Sequence, residues 1–80
     1  MIVYGSRLCR TTATCLEDLD MSGLLYEYRD ITENLEYMKQ FLSLRDRDMV
    51  FEKARAQGQI GIPCILRTDG TVTLDWHGEI

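Results

Sequence analysis

Ile2-Val3-Tyr4-Gly5-Ser6-Arg7-Leu8-Cys9-Arg10-Thr11-Thr12-Ala13-Thr14-Cys15-Leu16 is the stretch that decides how this chain folds. Ile2, Val3 and Tyr4 carry the β-branched and aromatic content of a strand, and Gly5-Ser6 ends it at the length of a buried core strand. Downstream, Ala13, Leu16 and Leu19 recur at helical spacing, with Thr11 and Thr12 as candidate caps and Gly23 as the stop. The pattern places Cys9 at or just ahead of a helix N-terminus.

A cysteine so placed has two readings. Unpaired N–H groups and the positive end of the helix dipole favour an anion, and Arg7 and Arg10 add positive charge, so the sulfur would ionise to a nucleophilic thiolate near neutral pH. Alternatively it is a small apolar core residue, as free cysteines commonly are. Pairing it with Cys15 within an intact helix is ruled out. Six residues at 1.5 Å each separate their Cα atoms by about 9 Å, beyond the roughly 7 Å that a disulfide spans.

Going outward, Leu24-Leu25-Tyr26-Glu27-Tyr28-Arg29-Asp30-Ile31 alternates as a second strand, which completes a βαβ unit. The two strands are then parallel, and Cys9 lies at the carboxyl end of the first, where open α/β sheets place ligand sites. Thr32 is expected to cap an amphipathic helix from about Glu33 to Arg45, with Leu35, Met38, Phe41 and Leu42 as its apolar stripe. Asp48 would start a short helical piece through Phe51 and Ala54 that stops at Gly58, and Arg45 to Asp48 reads as a solvated corner. In Ile60-Gly61-Ile62-Pro63-Cys64-Ile65-Leu66 the proline should open a strand, and Asp69-Gly70 marks a hairpin to Val72-Thr73-Leu74. Too few residues follow for a full closing helix.

The whole of residues 1–80 therefore forms one α/β domain, with a modest core for its size. Nine basic against thirteen acidic residues give a net charge of −4, which excludes a nucleic-acid backbone as partner. The start lacks a signal-peptide pattern and no apolar run reaches membrane-span length, so a cytoplasmic chain with no membrane partner is expected. Three cysteines cannot all pair within the chain, which suits a reducing compartment.

Tyr4-Gly5-Ser6 before Cys9, Tyr26 to Thr32 as second strand, Gly61-Ile62-Pro63-Cys64, and Asp69-Gly70 together resemble a short glutaredoxin-related protein of the thioredoxin superfamily. The resemblance covers nearly the whole chain. It implies a thioredoxin-like, glutaredoxin-type fold with a four-stranded mixed sheet in the order 2-1-3-4, lacking a full C-terminal helix, and a cis peptide between Ile62 and Pro63. It further implies that Pro63 sits against Cys9 and that the Ile62 backbone pairs with the peptide-like part of glutathione. Where the family has Cys-Pro-x-Cys, or a monothiol form ending in Ser, this chain has Cys9-Arg10-Thr11-Thr12. The resemblance therefore implies a monothiol thiol-disulfide oxidoreductase, with Cys9 as nucleophile, Arg10, Thr12, Ile62 and Pro63 meeting the small thiol, and glutathione or another low-molecular-weight thiol as co-substrate. A non-catalytic binding or redox-sensing module is the alternative, and a third is that all three cysteines are structural.

Cys15 and Cys64 are expected to pack in the core. His77 stands without zinc-ligand spacing, so no metal is expected, nor any tightly bound cofactor. Thr12 is suited either to capping the helix or to hydrogen-bonding the Cys9 thiolate. With the closing helix missing, either Trp76, Ile80 and their neighbours pack on a second copy as a homodimer, or the uncovered sheet face is narrow.

Overall fold

The computed structural model describes residues 1–80. In chain order these form β1 (Ile2–Gly5), α1 (Arg10–Met21), β2 (Glu27–Asp30), α2 (Leu35–Arg47), a 3-10 turn (Met49–Phe51) running into α3 (Glu52–Ala56), β3 (Cys64–Leu66), β4 (Val72–Thr73) and a closing 3-10 turn (Trp76–Glu79). The four strands make one mixed sheet in the order β2-β1-β3-β4. β1 runs parallel to β2, with Ile2 opposite Glu27 and Gly5 opposite Asp30, and antiparallel to β3, with Tyr4 opposite Cys64. β3 and β4 form the expected hairpin, whose turn at Gly70 takes φ +88°, a conformation that suits glycine. The peptide between Ile62 and Pro63 is cis.

Strand alternation divides the core between the two faces of the sheet. Val3 and Ile65 face α1 and pack with Cys15, Leu19 and Trp76, while Tyr4 and Cys64 face the other way and pack with Ile31, Phe41 and Phe51. Burial on both faces explains why the central strand β1 is a continuous apolar run.

Several boundaries differ from the sequence expectation. β2 starts at Glu27, because Leu25 is exposed beyond the turn at Gly23 that ends α1. Thr32 does not cap α2; the Asn34 side chain does, accepting from the Tyr37 N–H at 3.0 Å, since the Thr32 hydroxyl is already bonded to Asp30. On α2 the inward side chains are Phe41, Met38 and Leu44, and Leu35 and Leu42 are exposed. On α1, Ala13 is exposed and the fully buried positions are Thr12, Cys15 and Leu19, spaced i, i+3, i+7. A polar residue, Thr12, thus takes a core position.

In the Arg45–Asp48 corner Asp46 and Arg47 are exposed as expected, while Arg45 also serves as a joint. The Arg45 guanidinium donates to the carbonyls of Ile60 (2.8 Å) and Gln59 (2.6 Å), and Arg55 donates to the carbonyls of Arg45 and Asp48. The loop after α3 lacks ladder partners for its carbonyls, and the Arg45 guanidinium supplies them at Gln59 and Ile60. At the C-terminus, Trp76 is buried within its own chain and its Nε1–H donates to Asp18 Oδ2 at 2.9 Å. On the sheet face beside α1, Trp76 packs with Val3, Cys15, Leu19 and Ile65, and Ile80 is left exposed. No helix is long and apolar enough to cross a membrane.

Candidate functional site

Cys9 occupies the N-cap position of α1, with extended backbone, directly beyond the carboxyl end of β1. Its N–H donates to the Ser6 carbonyl at 3.0 Å and its carbonyl accepts from Ala13 N–H at 3.2 Å, so its own backbone closes the turn and begins the helix. The sulfur is left beside the orphan donors of the first helical turn.

Those donors set its acidity. Partial burial acts to raise the Cys9 pKa, but it is outweighed by the Thr12 hydroxyl and N–H and by the Thr11 N–H and hydroxyl, and the net direction is downward. Arg7 and Arg10 are not among the groups that lower it: both are exposed, and Arg7 turns to Glu33 at 3.6 Å. The expected contribution of the two arginines is thus replaced by hydroxyl and amide donors of the first helical turn.

Thr12 has a definite place in this arrangement. Its Oγ1 accepts from the Ser6 N–H at 3.4 Å, and a hydroxyl carries one proton and two lone pairs. With one lone pair facing Ser6, the proton stays free for another partner, and the Thr12 hydroxyl leads the groups that lower the Cys9 pKa. Gly5 makes this close approach of β1 to α1 feasible: a Cβ there would lie 2.5 Å from Thr12 Cγ2 and 2.8 Å from its Oγ1.

A second network holds the Ser6–Leu8 turn. Asp30 Oδ2 accepts from Arg7 N–H (3.0 Å) and the Tyr28 hydroxyl (2.9 Å), and Oδ1 accepts from the Thr32 N–H (2.8 Å) and hydroxyl (2.6 Å). Ser6 Oγ meets Thr32 Oγ1 at 2.8 Å and accepts from Leu8 N–H at 3.1 Å. Burial alone would raise the Asp30 pKa, but the Thr32 hydroxyl, the Arg7 and Thr32 N–H groups and the Tyr28 hydroxyl bring it down to about 2. Nothing in the local pattern of the sequence pointed to Asp30, whose partners come from two separate segments.

Two grooves reach Cys9, and Gly58, Gln59, Ile60 and Ile62 line both. The first, of about 460 Å³, runs past Leu8, Leu42, Arg45 and Ile60, and the second, of about 570 Å³, past Thr11, Pro63, Leu74 and Trp76. Ile62 lines both, and its N–H and C=O take part in none of the chain's own hydrogen bonds. Of the expected site residues, the fold thus brings Cys9, Thr12, Ile62 and Pro63 together. Arg10 points to solvent at the first position of α1 and lines neither groove. The groove residues Leu8, Leu42, Arg45, Gln59 and Ile60 escaped sequence analysis because they meet only through the docking of α2 and the loop after α3.

The other two thiols are of a different kind. Cys15 and Cys64 are fully buried, and burial pushes their pKa values up to about 11 and about 12, with smaller contributions from the charges of Asp18 and Asp48 respectively. All three cysteines are free. Cys9 alone is partly exposed.

Fold and site define a small α/β domain with one accessible thiol at a helix N-terminus, facing a cis-proline loop. Over 74 residues the chain is 36% identical to an uncharacterized protein of Haemophilus influenzae, a match covering 92% of this chain and 86% of that protein. The chain belongs to the same family as that protein. No family model matches the sequence, and no solved structure matches it.

Proposed function

We propose that this protein is a cytoplasmic, glutaredoxin-like monothiol oxidoreductase that exchanges disulfides through Cys9, with glutathione or another low-molecular-weight thiol as co-substrate. The observation that carries this proposal is the contrast among the three sulfurs: Cys9 is partly exposed with its pKa lowered by Thr12 and Thr11, while the other two are buried with theirs raised. In the first step the Cys9 thiolate attacks one sulfur of a mixed disulfide between a substrate and the small thiol. A bond forms between Cys9 and the small thiol's sulfur, and the substrate leaves as thiolate. A second small thiolate then attacks the sulfur bound to Cys9, releasing the symmetric small-molecule disulfide and regenerating the Cys9 thiolate. Thr12 and the first-turn N–H groups stabilise the thiolate in its roles as nucleophile and leaving group. Ile62, which lines the same groove as Cys9 and whose N–H and C=O take part in none of the chain's own hydrogen bonds, would pair with an extended, peptide-like ligand.

One observation favours a second reading as a stoichiometric redox sensor or binding module: Thr12 stands where a second thiol would act, and Cys15 and Cys64 are enclosed in the core. Turnover separates the two. In a coupled assay with a glutathionylated substrate, an oxidoreductase consumes many equivalents per protein, activity vanishes in Cys9→Ser, and it persists in Cys15→Ser and Cys64→Ser. A single equivalent consumed, however long the incubation, would refute catalysis in favour of the sensor.

A further inference from the structure

We infer that Arg45 is a positioning residue for the exchange at Cys9: by holding the carbonyls of Gln59 and Ile60 it fixes the segment that presents the Ile62 backbone to a bound ligand. This inference rests on the thiol-disulfide chemistry proposed above and brings into it a residue remote in sequence from the cysteine. The segment between α3 and β3 has few other restraints. The Gln59 N–H donates to the Ala54 carbonyl at 2.8 Å, and from there to β3 the residues Ile60, Gly61 and Ile62 take part in no main-chain hydrogen bond. Gly58 at φ +69° and Gly61 at φ +95° flank the exposed pair Gln59-Ile60, and glycines give a chain more conformations to lose. Two contacts restrict it. Arg45 donates through Nε to the Ile60 carbonyl at 2.8 Å and through Nη2 to the Gln59 carbonyl at 2.6 Å, and Gly61 lies against Phe51, whose ring a Cβ there would approach to 2.8 Å.

Arginine suits this task because its planar fork meets two acceptors at once in a fixed geometry, which a lysine ammonium does not. The main chain of Arg45 is held in turn, since Arg55 donates to the carbonyls of Arg45 and Asp48 at the end of α2. Contacts thus run from α3 through the end of α2 to the loop, and the loop leads to Ile62, which lines both grooves with Cys9. Hydrogen bonds to the Ile62 backbone weaken steeply with misalignment, so a loosened loop costs ligand alignment. The acidity of Cys9 is set by Thr12 and Thr11 on α1, with no group of this loop among its causes. Loss of Arg45 therefore separates alignment from thiol reactivity. The guanidinium keeps its positive charge in these bonds and lines the first groove, so a direct attraction for a ligand carboxylate is the competing role.

The test compares the intact chain with Arg45→Met, which keeps the apolar stem, and Arg45→Lys, which keeps the charge. Three 2-pyridyl disulfides serve as probes: the tripeptide Gly-Cys-Gly acetylated and amidated, the same tripeptide with a free carboxylate, and mercaptoethanol, which has no peptide backbone. In each case the Cys9 thiolate attacks the probe thiol's sulfur, an S–S bond forms to Cys9, and pyridine-2-thiolate leaves and is measured; mass spectrometry locates the adduct. Relative to the mercaptoethanol probe, both tripeptides are expected to slow about tenfold in Arg45→Met, the factor lost with one hydrogen bond, and to slow in Arg45→Lys as well. The pH profile of Cys9 alkylation by iodoacetamide is expected to be the same in all three proteins. A loss confined to the carboxylate probe, or wild-type rates in Arg45→Lys, assigns Arg45 a charge role and overturns the inference. Equal slowing of all three probes, a displaced alkylation profile, or unchanged rates in Arg45→Met overturns it too, while leaving disulfide exchange at Cys9 in place. Absence of a Cys9 adduct from every probe in the wild-type chain overturns the exchange chemistry and the inference with it.

Discussion

Replacing Gly5 by alanine probes the contact on which fold and site both depend. The added Cβ would lie 2.5 Å from Thr12 Cγ2 and 2.8 Å from Thr12 Oγ1. Carbon atoms pack best at about 3.5–4.0 Å, so the overlap is about 1 Å. Thr12 cannot swing aside, because it is 1% exposed and a β-branched side chain in a helix has few rotamers. The strain must move the first turn of α1 away from β1, and overpacking of this kind costs about 1–3 kcal/mol. With a loss near 2 kcal/mol, the melting temperature of an 80-residue chain should fall by roughly 10 °C. The same displacement carries the Thr12 hydroxyl away from the sulfur, so the Cys9 pKa rises toward the ordinary thiol value and alkylation at a fixed pH near neutrality slows. Urea unfolding and the pH profile of iodoacetamide alkylation measure the two effects. A double-mutant cycle sharpens the test: in a Thr12→Ala background the contacts with Cγ2 and Oγ1 are gone and only the 3.2 Å approach to Cβ is left, so Gly5→Ala should cost about 1 kcal/mol less than in the wild type. If Gly5→Ala alone left both stability and the alkylation profile unchanged, the close packing of β1 on Thr12 would be refuted.

Two further outcomes follow from other parts of the molecule. Trp76→Ala should lower the unfolding free energy by about 3–4 kcal/mol, because the ring is 8% exposed and closes the core beside α1. If this face were instead completed by a second copy, the wild-type melting temperature would rise with protein concentration. The carboxyl of Asp30, with a folded pKa of about 2 against an ordinary 3.8, binds its proton later than the unfolded chain does as pH falls. Its stabilisation is therefore present in full above about pH 4, and is lost on going down to about pH 2, a change on the order of 1–2 kcal/mol. Asp30→Asn should remove that part of the acid dependence, as read from urea midpoints across the window, and equal slopes in both proteins would refute it.

The sequence by itself determined the order of the elements, the position of Cys9 at a helix start and the place of the hairpin. Each of these is written locally: the β-branched run Ile2-Val3-Tyr4, the break at Gly5-Ser6, the single proline at position 63 and the Asp69-Gly70 turn act over a few residues, and hydrophobic period and turn chemistry are local properties. The two-sided core of β1 was likewise legible, since burial on both faces demands an unbroken apolar run. Local pattern failed at Thr32, which looks like a helix cap but is claimed by the Asp30 carboxylate, and at Arg45, which looks solvated but anchors the carbonyls of Gln59 and Ile60. Tertiary structure alone decided that Arg7 and Arg10 are left in solvent while Thr12, for which the sequence left two roles, acts on Cys9, that Asp30 fixes the turn before it, and that apolar side chains from several distant segments line its grooves. The physical reason is common to all three. Hydrogen bonds and apolar contacts act over a few ångströms, so their partners are chosen by which segments the sheet and helices bring together, and that choice is made only when the whole chain has packed.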